Sequence, residues 1–207
     1  MKTLELAVVM VLGSVAAVPA FADSTTAQTV ETQRDVNQQQ RIENGLQSGQ
    51  LTSHEAGRLE QEETHVDQME AHAAADGKVS PAEAARINSA QNKVSDSIYN
   101  QKHDAQAGNP NSASSQHMQQ NVQRNVNQEK RINQGVKSGQ LTTHETGRLE
   151  HGQAKVAHSE ANSGAYGGVS HAESAHTNRV ENRQSNRIYN QKHDTQTQGQ
   201  SQSAPAN

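Results

Sequence analysis

The chain has 207 residues and a formal net charge of -4, with 18 Lys and Arg against 22 Asp and Glu. Only 30% of it is apolar and 2% aromatic, without Trp or Cys, so disulfides are excluded and any core must be thin. The small, mixed charge supplies neither the clustered cations of a nucleic-acid surface nor a polybasic membrane patch, so no nucleic-acid partner is expected.

Residues 1–22 read as a secretory signal peptide. Lys2 precedes an apolar run from Leu6 to Val18, and Ala20, Phe21 and Ala22 offer small residues around a cleavage point. The run is too short for a membrane span, so the mature chain is expected to carry no integral span and to be periplasmic or secreted. Residues 23–32 are polar and Thr-rich and read as a disordered lead-in.

From Gln33 to Gln106, and again from Gln123 to Gln196, the chain aligns with itself at a shift of 90, with roughly half of the positions identical. The stretch from Ser48 to Glu60 returns almost unchanged as Ser138 to Glu150. Two tandem helical repeats are therefore expected, 33–106 and 123–196, joined by a flexible linker over 107–122 and followed by a disordered tail over 197–207.

Each repeat predicts three helices, for the first about Val36 to Gln47, Ser53 to Ala74 and Pro81 to Lys102. Thr52 with Glu55, and Ser80 with Glu83, have the spacing of capping boxes, and Pro81 suits a first helical position. Ile87, Ala90, Val94 and Ile98 form one apolar stripe. Leu59, Val66, Met69 and Ala73 form another, and Val36, Ile42 and Leu46 a third, so an all-α fold of three-helix bundles follows. The second repeat has Thr177, Gln184 and Ser159 where the first has Ile87, Val94 and Met69. At roughly 1.5 to 3 kcal/mol per buried apolar side chain, it is expected to be the looser of the two.

The eleven histidines are the most unusual feature of the composition. His54, His65 and His72 line one second helix, and His144, His151 and His158 the other. Imidazole is a ligand for zinc or copper, but residues seven apart stand roughly 10 Å apart along a helix, too far to share one ion. Any such site would be assembled between helices or between molecules, with Glu62, Glu63 or Asp67 nearby, and would bind weakly. The segment from Ile98 to Asp104 recurs as Ile188 to Asp194 and reads as a helix end, with Tyr99 covering the core edge. No nucleophile arrangement, phosphate loop or His-Glu-x-x-His pattern occurs, so a non-enzymatic role is expected.

The spacing of Gly77, Val79, Ser80 and Glu83 resembles the second half of an EF-hand loop, with counterparts ending at Glu55, Glu145 and Glu173. That resemblance implies degenerate calcium binding, in which Asp76 and Glu83 supply two acidic ligands of one loop. The openings Leu51-Thr52-x-x-Glu55 and Leu141-Thr142-x-x-Glu145 resemble the LTxxQ helix starts of Spy-like periplasmic stress proteins. This second resemblance implies envelope-stress protection by an ATP-independent helical chaperone or a metal-responsive helper. Three expectations stand: an exported, stress-related helical protein with weak divalent-metal binding, a structural or chaperone-like module contacting other envelope proteins, or an EF-hand-like calcium binder.

Overall fold

In the computed structural model, which describes residues 24–198, the chain forms six α-helices. They are α1 (Ser24–Ser48), α2 (Ser53–Ala73), α3 (Pro81–Lys102), α4 (Ala113–Lys137), α5 (Thr143–Gly164) and α6 (His171–Lys192), with a 3-10 turn at Ala74–Asp76 after α2. No strand occurs among the described residues. The leader and the tail beyond Gln198 lie outside them, and no described helix is long and apolar enough to cross a membrane.

Local chemistry sets the helix starts. Thr52, Ser80, Thr142 and Ser170 each accept the backbone N–H of the glutamate three residues on, and each of those glutamates accepts the cap's own N–H, so four capping boxes open α2, α3, α5 and α6. Pro81 occupies the first turn of α3, where a missing N–H does no harm. After α1 the chain reverses through Gly49, whose φ of 75° lies in the left-handed region open to glycine.

The first helix departs from expectation: it begins at Ser24, twelve residues before Val36, and the supposed lead-in buries Gln28, Glu31 and Thr32. Most of the supposed linker is also helical. α4 starts at Ala113, and the remaining loop is tied down where Gly108 donates to the Gly49 carbonyl at 2.8 Å.

The two halves are intertwined. α2 packs more extensively on α5 than on any other helix, and α1 does the same with α4. Gln33 accepts from Asn133 and Lys137, which sets α1 and α4 antiparallel. α3 lies outside against α1 and α2, and α6 against α4 and α5. Contacts recur 90 residues on: Arg34 donates to Asn88 and Asn92, and Arg124 to Asn178 and Asn182. The largest apolar cluster mixes Ile42, Leu46, Leu59, Val66, Val94 and Ile98 with Met118, Val122 and Val126, so the halves share one core.

Glycines set the spacing of the central pair. A Cβ on Gly57 would stand 2.9 Å from the Gly164 Cα, and one on Gly147 would stand 2.6 Å from the Ala74 Cβ. Where the second half lacks apolar residues, hydroxyls and amides pair instead. Ser159 and Ser163 share hydrogen bonds with Thr177, and Gln184 donates to the Leu149 carbonyl at 2.8 Å. Tyr99, expected to cover the core edge, is 58% exposed and stacks on His103.

Candidate functional site

The interior of the four central helices is lined with carboxylates. Glu60, Glu63, Asp67 and Glu70 recur at spacings of three, four and three, which places them on one face of α2, and all four are buried. Glu31 and Asp35 from α1, Glu129 from α4, Glu150 and Glu160 from α5 and Glu181 from α6 join them inside. Every described Asp and Glu other than Glu62, Asp76, Glu83, Asp96, Asp104, Glu173 and Asp194 is buried, whereas no described Lys or Arg is.

Buried amides partly satisfy these groups. Gln91 donates to Asp35 at 2.7 Å and to Glu70 at 3.1 Å, Gln39 to Glu60 at 3.0 Å, and Gln153 to Glu129 at 2.6 Å. Acid and amide change places between the halves. Asp35, Gln39, Glu63 and Gln91 correspond at the shift of 90 to Asn125, Glu129, Gln153 and Glu181. A carboxylate and a carboxamide have nearly the same shape, so each exchange keeps the packing and decides only where charge sits. One cation reaches this layer: Arg124 meets Glu181 at 2.8 Å.

Burial raises the proton affinity of the whole set. Desolvation pushes Glu31, Asp35, Glu60 and Glu181 up to about 7 and Glu129 up to about 8, far above ordinary carboxyl values near 4. Glu63, Asp67, Glu70, Glu150 and Glu160 are also raised well above ordinary carboxyl values, first by desolvation and then by repulsion from neighbouring carboxylates. The Glu60 carboxylate on α2 lies close enough to Glu160 on α5 to help raise its proton affinity.

Three of these groups converge. One oxygen each from Asp67, Glu129 and Glu150, on α2, α4 and α5, lie within 4.8 Å of one another. Neither oxygen of Glu150 has a hydrogen-bond partner, although the residue is 1% exposed and one oxygen belongs to this cluster. Hard divalent cations bind oxygen at about 2.0 to 2.6 Å, so two ligands of one ion stand up to about 5 Å apart. The triad fits that limit, and its all-oxygen donor set suits magnesium, calcium or manganese better than zinc or copper.

The residues singled out from the sequence lie elsewhere. His54, His65, His72, His144, His151 and His158 are all exposed. His72, His144 and His151 line one surface cavity, and His151 and His158 line its neighbour, but Lys155 and Arg187 line both. Such cations oppose binding of a second positive charge. His65 lines a third groove, between α2 and α3. Asp76 accepts the Lys78 N–H at 2.9 Å, and Glu83 accepts the Ser80 N–H and hydroxyl within its capping box.

The sequence offers Glu63 and Asp67 only as companions of a histidine site, and nothing in it points to Glu129 or Glu150. The available signal was the three-four-three run of acids on α2, which coincides with a helix face and lies apart from the exposed line of Arg58, Gln61, His65, Gln68 and His72. No protein-family model, curated protein or solved structure matches the chain.

Proposed function

We propose that this is an exported, non-enzymatic helical binding protein of the cell envelope that takes up one hard divalent cation between Asp67, Glu129 and Glu150. The convergence of three buried carboxylates around Glu150, whose oxygens are otherwise unpartnered, carries the reading. Export rests on the leader-like sequence of residues 1–22. The cation replaces protons that these carboxyls otherwise hold, so uptake releases protons and strengthens as pH rises.

Isothermal titration with magnesium, calcium and manganese at pH 8 tests the proposal. One saturable site is expected, tighter at pH 8 than at pH 6, abolished in Glu150→Gln and retained when the six second-helix histidines become Gln. Loss of binding in the histidine variant, or undiminished binding in Glu150→Gln, would refute the carboxylate site and return the metal to the imidazoles.

A further inference from the structure

The fold hides a charge asymmetry that the net charge of -4 conceals. Between residues 113 and 192 the only carboxylate not buried is Glu173, and ten lysines and arginines share that surface with it. A groove of about 700 Å³ runs between α5 and α6, lined by Lys155, Arg183 and Arg187 together with His151, His158 and His176. Among the described residues none of those three cations meets a carboxylate in an ion pair. The single acid at the groove, Glu173, has its carboxylate engaged by the Ser170 N–H at 2.8 Å. An adjoining cavity extends the groove past Lys155 and Arg187 to Arg148.

The first half contains the same groove with different chemistry, between α2 and α3. At the shift of 90, Glu62 becomes Gly152, which removes an acid from the groove wall. Gln61 becomes His151 and Ser97 becomes Arg187, which adds two bases. Met69 becomes Ser159, which removes apolar bulk from the groove wall. His65 also becomes Lys155, a further gain of charge, whereas Arg86 becomes His176, a loss, and the balance moves the second groove toward an anion.

We infer that the α5–α6 groove binds a ligand carrying several closely spaced phosphate groups, held by Lys155, Arg183 and Arg187. Guanidinium groups suit phosphate oxygens because their planar N–H pairs match two oxygens at once, and an ammonium adds a point charge. The groove offers no Phe, Tyr or Trp as a broad stacking platform for a nucleobase, whereas its cations suit phosphate oxygens, so the phosphates are taken as the recognised feature. The site lies on the outer face and does not involve Asp67, Glu129 or Glu150, so it is independent of the cation reading.

Isothermal titration of chelator-treated protein with sodium tripolyphosphate, at about 0.15 M salt, tests the inference. Saturable binding is expected, weakened about tenfold or more in the triple variant Lys155→Gln, Arg183→Gln, Arg187→Gln. The matched triple Arg58→Gln, Arg86→Gln, Lys93→Gln removes the same charge from the first half and should change affinity less than about twofold. Co-sedimentation with phosphatidylglycerol vesicles, against phosphatidylcholine ones, separates a lipid headgroup from a free phosphate. Vesicle binding lost in the first triple alone would place the phosphates on a membrane surface. Binding of neither probe, or equal weakening by both triples, would overturn the site.

Discussion

Glu150 holds a costly position: both oxygens are buried, neither is hydrogen-bonded, and Glu129, Asp35 and Glu31 are close enough to raise its pKa further. An unpaired buried polar group costs about 1 to 3 kcal/mol, more when charged. Glutamine has the same shape without the charge, so in chelator at pH 8 Glu150→Gln should melt several degrees above the parent, at roughly 2 to 4 °C per kcal/mol for a chain of this size. If the triad takes a cation as proposed, millimolar manganese should raise the parent's Tm and leave that of Glu150→Gln unchanged. A fall in Tm for this variant would show that Glu150 is paired in the folded protein. The sequence displays Glu60 and Glu150 inside the repeated stretch, but an acid on a polar helix ordinarily faces water, and nothing local marks these two as buried.

At the scale of the element, the helix starts were legible because a capping box is a contact between residues three apart and needs no tertiary partner. The N-terminal halves of α1 and α4 were not. Their mostly polar residues look unable to offset the entropy of ordering, yet α1 buries Gln28, Glu31 and Thr32 there, and α4 buries Met118 and Val122 in the shared core. Gly57 and Gly147 repeat in the sequence, where each reads as a weak point in a helix; the packing explains them, since α2 and α5 approach too closely there for a Cβ. Gly57→Ala forces backbone apart at Gly164, and about 1 to 3 kcal/mol of destabilisation is expected despite the better helix propensity of alanine. Denaturant unfolding checks this, and an unchanged or raised midpoint would show that the helices can separate freely.

Across the whole molecule, the raised carboxyl values make stability depend on pH in a definite sense. Glu31, Asp35, Glu60 and Glu181 titrate at about 7 and Glu129 at about 8 when folded, against about 4 when unfolded. The folded state therefore binds more protons throughout that interval. The stabilisation is complete below about pH 4 and is lost as pH rises through 7 to 8. In chelator, Tm should fall from pH 5 to pH 8.5, and a divalent cation should restore part of the loss at the alkaline end. A Tm that rises over this range would mean that the carboxyls ionise freely in the fold.

The all-α class, the starts of the four helices opened by capping boxes and the internal repeat could be read from the chain by itself, because each rests on residues close together or on direct self-comparison. Only the tertiary structure decided that the halves interlock through α2 with α5 and α1 with α4, and hence that acids such as Asp67, Glu129 and Glu150 face one another while the cations face out. The physical reason is that one sparse apolar stripe per helix does not declare which polar residues beside it also turn inward. A carboxyl and a carboxamide look alike to packing, and their environment is set by residues dozens of positions away.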